Sequence, residues 1–206
     1  MDNEADRTDE ATETDTAAAT LRRVLAAAFA TLAWKLDGLT EYDLRRPLVP
    51  TGTNLLGLAK HVALVSGEYF GLVFDRSSAV PPTPEDEPNA DMWATAEETA
   101  PYVLGLLATA KAEAEATLAE LPLDAPGFVP WWGADRGHVT LHEIAVHVIA
   151  ELNRHAGHAD IIRELVDGQV GLRQGVSNLP DEADGADERW WADYRTRLEK
   201  LAESFR

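Results

Sequence analysis

The chain has 206 residues, 45% of them hydrophobic, and a formal net charge of −18. This length is enough for one well-buried core, and the negative charge offers no basic surface for nucleic acid, so we expect no nucleic acid partner. The sequence has no cysteine, which excludes disulfides, thiolate zinc sites and a protein-borne thiol nucleophile.

The N-terminal segment is acidic. Residues 1–15 contain seven acidic side chains, one arginine and few apolar side chains. A segment of this composition cannot bury enough apolar surface to fold, so we predict a disordered tail over residues 1–15 and a single domain over residues 16–206. The start does not resemble a secretory signal, and we expect no apolar run to reach the roughly 18 residues needed to span a bilayer. We therefore expect a cytoplasmic protein without a membrane partner.

Helical spacing of apolar residues dominates the rest of the chain. It predicts helices, in chain order, over Thr16–Asp37, Glu41–Arg45, Thr53–Phe74, Met92–Glu98, Thr99–Leu121, Thr140–Asp167 and Asp187–Glu203. Gly38 and Gly168 are predicted to end helices, while Thr140 and Glu143 have the spacing of a capping box. No segment alternates with period two. The predicted fold is an all-α, antiparallel four-helix bundle with extra short helices and a C-terminal helix.

The helix predicted over Thr140–Asp167 carries several metal-binding side chains on one strip. Glu151, His155 and His158 fall within an arc of about 40°, and His147 lies on the same edge. The strip also contains three apolar residues, which predict that it faces the interior: Ile144, Ile162 and Leu165. Unpaired imidazoles and carboxylates are costly to bury, and a divalent metal ion would satisfy them together.

Glu151 and His155 are four residues apart, which places their side chains about 6 Å from each other on one helix face. His61 lies in an apolar helix and is the natural third ligand. Two imidazoles and one carboxylate with open positions form the ligand set of many catalytic zinc sites, and they also suit nickel, manganese or iron. A Glu-x-x-x-His pair forms surface hydrogen bonds in many proteins as well, so the spacing alone leaves both interpretations open.

Several phrases resemble one known superfamily in their order along the chain. They are LLGLAKHVALVSGEYF, WWG, HEIAVHVIAELNRHAGHADIIRELVDG and SNLPDEADGADERWWADYRTRLE. Together they resemble the DinB-like (YfiT-like) superfamily, and in particular its actinobacterial DUF664 branch. The resemblance covers nearly the whole chain after the acidic tail.

The resemblance implies a four-helix bundle with a divalent metal ion at one end. It implies His61 as the ligand from the second bundle helix, and Glu151 and His155 as the pair from the last one. The order of Glu before His is similar to the metal-binding domain of thiol-dependent maleylpyruvate isomerases. His158 occupies a position where many members have glutamine, and it is a candidate fourth ligand or hydrogen-bonding neighbour.

The resemblance also implies an enzyme that uses a low-molecular-weight thiol, which for this branch would be mycothiol, together with an electrophilic substrate. His158 or His147 would then handle a proton. Independently of the resemblance, the loop that carries Trp131 and Trp132 makes them candidate cofactor-binding residues, with a role as packing anchors as the alternative. The sequence leaves two alternatives open. One is metal-dependent hydrolysis, for which no free carboxylate is obvious, and the other is a non-catalytic metal-binding or stress-response bundle, including a homodimer.

Overall fold

The structure is a computed structural model that describes the backbone of residues 5–84 and 87–206 and the side chains of residues 16–84, 87–181 and 183–206. Two compact units divide the chain, Met1–Gln169 and Val170–Arg206. The helices are α1 (Ala5–Trp34), α2 (Glu41–Arg45), α3 (Leu55–Phe70), α4 (Ala100–Glu120), α5 (Leu141–Asp167) and α6 (Glu188–Glu203). The prediction of a mostly helical, DinB-like fold is confirmed.

Helix ends follow the capping residues of the sequence. The side chain of Asn54 accepts a hydrogen bond from the backbone of Gly57 at 2.8 Å and thereby starts α3. Thr140 and Glu143 form the predicted capping box at the start of α5, and Gly168, at φ +77°, ends that helix. The bounds of α5 are therefore fixed by local chemistry at both ends.

Some predictions at helix boundaries were wrong. Helix α3 stops at Phe70, and Leu72–Phe74 form a separate 3-10 turn. The helix predicted over Met92–Glu98 is absent from this described segment, where the side chains of Arg45 and Lys60 donate hydrogen bonds to the carbonyls of Trp93, Ala94 and Thr95. An unpredicted antiparallel pair, β1 (Pro126–Phe128) and β2 (His138–Thr140), brings the two ends of the Trp131–Trp132 loop together.

The first helix begins at Ala5, earlier than the expected start near Thr16. The side chains of residues 1–15 lie outside the described part of the chain, so the disordered tail stays a prediction. The expectation that no stretch is long enough to span a bilayer was wrong, because Thr16–Trp34 within α1 is long and apolar enough by length and composition alone. A core helix passes the same test, and Leu25, Phe29 and Leu32 of this stretch are buried in the core. The absence of a membrane partner also stays a prediction.

The four long helices of the first unit form the bundle. Helix α3 packs against α4 and α5, and α1 packs against the same two helices. His61 and Tyr69 of α3 meet His155 and His147 of α5, respectively, so these two helices run antiparallel. Helices α3 and α4 end together, where Thr117 donates to the carbonyl of Phe70, and the long connection 71–99 makes this parallel arrangement possible.

Buried cations fix α1 to α5. Arg163 of α5 donates to the carbonyls of Lys35 and Asp37 at 3.0 and 2.8 Å, and so satisfies the C-terminal end of α1. Lys35 is fully buried and pairs with Asp160 at 2.6 Å. These contacts anchor the same helix that carries the candidate ligands.

In the second unit, α6 begins after Asp187, whose side chain accepts from the backbone of Trp190. Trp190 stacks on Tyr194, and Trp191 contacts both rings edge-on.

Candidate metal centre

Helices α3 and α5 bring His61, Glu151 and His155 together. One potential ligand atom from each residue lies within 4.8 Å of the other two. Nε2 of His155 is 3.4 Å from Oε2 of Glu151, close to the roughly 3.4 Å that separates two ligands of a tetrahedral zinc ion with bonds of about 2.1 Å. Small side-chain rotations would bring all three groups onto one ion.

His155 does not behave as a structural core histidine. It is only 8% exposed, and its Nδ1 has no hydrogen-bond partner among the residues that the structure describes. Burial lowers the pKa of His155 to about 4, and His61 acts in the same direction while Glu151 opposes it. The ring is therefore neutral at pH 7, which is the form that binds metal ions.

His61 is held by a carboxylate. Its Nδ1 donates to Oδ2 of Asp91 at 2.6 Å, and in the neutral ring this contact leaves Nε2 as the nitrogen with the lone pair. Metal-binding histidines commonly use one ring nitrogen for the ion and the other for a carboxylate. The donor set, the neutral His155 and the oriented His61 together fit a divalent metal ion.

Other residues of the predicted strip lie outside this group. The His158 ring is 5.5 Å from that of His155 and its side chain is exposed, while His147 packs against Tyr69 and Trp132. Leu165 is 60% exposed, so the prediction that it faces the interior was wrong, whereas Ile144 and Ile162 are buried. The described part of the chain thus places three potential ligands around one point, with His61 and Glu151 half-buried.

An aromatic cluster lies beside the candidate site and is formed by residues of α3, α5 and the Trp131–Trp132 loop. Tyr69 accepts hydrogen bonds from the indole nitrogens of Trp131 and Trp132 at 3.2 and 3.1 Å. The His147 ring lies 4.9 Å from the rings of Tyr69 and Trp132. Since His147 is one helical turn before Glu151, this cluster is about 6 Å along α5 from the nearest candidate ligand.

Sequence reasoning missed Asp91 and Tyr69. One signal for Asp91 was available in Lys60, a cation within an apolar helix. Buried ammonium groups need acceptors, so Lys60 implies that an acidic or carbonyl-rich segment covers α3. That signal could not choose among the acids of the following loop. Tyr69 carried no signal beyond its place in the phrase SGEYF.

Four long helices with a His, Glu and His group between two of them define the DinB-like class of bundles. A family model described as Mycothiol-S-transferase matches residues 20–168, and the chain belongs to this family. The match ends beside the boundary of the first compact unit.

A solved structure supports the fold independently. The crystal structure of a conserved protein from Enterococcus faecalis is 19% identical and aligns over 76% of this chain and 98% of that chain, with a TM-score of 0.53. A comparison with curated proteins found no match.

Proposed function

We propose that the protein is a mycothiol-dependent S-transferase in which His61, Glu151 and His155 hold a divalent ion, with zinc as the first candidate and nickel, manganese or iron as alternatives. The observation that carries this proposal is the three-residue group, from which His147 and His158 are both excluded. A metal ion with three protein ligands retains open coordination positions, as catalytic zinc sites do, whereas structural zinc sites have four protein ligands and no open position.

When bound, the ion supplies a Lewis acid that lowers the pKa of a coordinated thiol. The chain supplies no cysteine, so the nucleophilic sulfur comes from the small thiol. In the transfer, a carbon–sulfur bond forms, the bond from carbon to the leaving group breaks, and the thiol proton is released. His147 or His158 accepts that proton, each lying one turn or less from a candidate ligand on α5. A cytoplasmic location, where small thiols stay reduced, is part of this proposal.

Hydrolysis receives less support. A hydrolytic site needs a carboxylate that is free to act as a base beside the ion. Asp91 is the acid next to the site, but His61 occupies its Oδ2 at 2.6 Å. Glu151 is itself a candidate ligand, so neither carboxylate is free.

Mycothiol conjugation tests the proposal. Protein with its full metal content, mycothiol and monochlorobimane should form the fluorescent conjugate faster than the uncatalysed reaction, and removing the ion with a chelator should abolish the acceleration. Readdition of the ion should restore it. An uncatalysed rate in the presence of a bound ion would instead favour a non-catalytic metal-binding bundle.

The aromatic cluster is proposed to hold the electrophile and the nearby part of the thiol. Trp131 is 46% exposed although its indole nitrogen is bound to Tyr69, so nearly half of its surface is accessible to a ligand. Trp131→Ala should raise KM for the bimane about tenfold, roughly 1.4 kcal/mol, with a smaller change in kcat. Trp131→Phe, which keeps an aromatic face, should recover most of the loss. Unchanged KM in the alanine variant would remove the cluster from the proposed substrate site.

A further inference from the structure

The segment that precedes α4 lies across the face of α3 that carries His61. Asp91 in this segment accepts a hydrogen bond from His61 Nδ1 at 2.6 Å. A carboxylate only accepts hydrogen bonds, so this contact requires the hydrogen of a neutral His61 ring to reside on Nδ1. The lone pair is then on Nε2.

Lys60 holds the backbone on both sides of Asp91. Its ammonium group is almost fully buried and donates to the carbonyls of Ala90 and Trp93 at 2.9 and 3.0 Å. The third donor is directed to Glu98 Oε2 at 2.8 Å. Because all three donors have acceptors, Lys60 fixes the positions of the residues that flank Asp91.

The close contact of this segment with α3 requires a glycine one turn before His61. A Cβ atom on Gly57 would lie 1.8 Å from the carbonyl oxygen of Met92, the residue after Asp91. Asn54 also donates to this oxygen, at 3.4 Å. Helix α3 therefore contacts Ala90–Trp93 through three residues: the small surface at Gly57, the ammonium group of Lys60 and the ring of His61.

We propose that Asp91 is a positioning residue for the metal ligand His61, and that Lys60 acts through Asp91 by fixing its backbone. This inference rests on the proposed metal site and names no catalytic role for either residue. Asp91 selects the ring tautomer and orientation that direct Nε2 towards the ion. Lys60 sets the place of the carboxylate.

Zinc affinity tests the role of Asp91. Measured by competition with a chromophoric chelator, the affinity of Asp91→Ala for Zn²⁺ alone should fall about 10–100-fold. Asp91→Asn retains an acceptor for Nδ1 but loses the charge, so its affinity should be intermediate. Glu97→Gln is the matched control, because Glu97 is an exposed acid of the same segment and its loss should leave affinity unchanged. Equal affinities for Asp91→Ala and Glu97→Gln would overturn the proposal.

A double-mutant cycle tests the role of Lys60. Lys60→Met alone should weaken zinc binding several-fold, whereas in the Asp91→Ala background it should cause little further loss. Additive losses would show that Lys60 does not act through Asp91. Circular dichroism of the metal-free variants identifies any that fail to fold, and Asp91→Asn, which is isosteric, then carries the test.

The tautomer of His61 provides a readout that needs no metal. In ¹⁵N spectra of the metal-free protein at a pH where the ring is neutral, His61 should show a protonated Nδ1 and an unprotonated Nε2, with the resonances assigned by comparison with His61→Gln. In Asp91→Ala the two tautomers should mix. A spectrum unchanged by Asp91→Ala would contradict the proposal even if zinc affinity fell. Zinc binding without thiol transfer would leave this inference intact and remove only the proposed enzymatic function.

Discussion

Replacing His155 with alanine is expected to reduce the bound divalent ion from about one per chain to a trace. His155 supplies one of three potential ligands, and its neutral ring is already in the form that binds metal ions. The loss of metal affinity should exceed the roughly 10–100-fold loss that follows removal of a residue that only hydrogen-bonds to a ligand. Elemental analysis of protein purified without chelator measures the effect, and mycothiol conjugation should disappear with the ion.

His142→Ala is the matched control for this experiment. His142 is an exposed histidine on the same helix, outside the group that surrounds the proposed ion. Its removal should leave the metal content unchanged. A full complement of metal in His155→Ala would place the ion elsewhere in the protein and contradict the assignment.

Gly57→Ala should both destabilise the protein and weaken zinc binding. The new Cβ would lie 1.8 Å from the Met92 carbonyl oxygen and 2.5 Å from its carbon, so the backbone that carries Asp91 must move. Overpacking of this kind costs roughly 1–3 kcal/mol, which outweighs the gain of up to about 1 kcal/mol from the higher helix propensity of alanine. Zinc affinity should fall about tenfold as Asp91 leaves His61. Denaturant unfolding of the metal-free protein measures the stability.

Gly105→Ala separates crowding from helix propensity. Gly105 lies within α4, and a Cβ atom there would meet nothing within 4 Å. This variant should be as stable as the parent or more stable, by up to about 1 kcal/mol. If Gly57→Ala were stabilised equally, the close contact between α3 and the Asp91 segment would not exist in solution.

The sequence predicted the helices best where both ends carry a local signal. Helix α5 has a capping box at Thr140 and a glycine at position 168, and its predicted bounds agree with the structure. The Met92–Glu98 segment has helix-compatible composition, but its carbonyls are recruited by Arg45 and Lys60 from distant parts of the chain. Such long-range hydrogen bonds leave no periodic pattern, so propensity gave the wrong prediction there.

The candidate site was likewise predictable where local helical geometry determines it and not where it depends on long-range packing. Glu151 and His155 could be paired from their spacing on one helix, because helical geometry fixes which residues share a face. His61 could be added through its apolar surroundings and the family resemblance. Asp91 could not be chosen, because its place beside His61 depends on how an irregular, proline-rich segment packs on α3. The face of Leu165 was also misjudged: Ile162 and Arg163 are buried and Val166 packs against the core, whereas Leu165 lies on the exposed face beside them.

The most direct measurement is a crystal structure with anomalous diffraction recorded at the absorption edge of the ion that elemental analysis identifies. We expect a single strong peak per chain, about 2.0–2.2 Å from Nε2 of His61, a carboxylate oxygen of Glu151 and a ring nitrogen of His155. Asp91 should remain bonded to Nδ1 of His61. A peak elsewhere, or none in crystals grown with excess metal, would contradict the shared ion between α3 and α5.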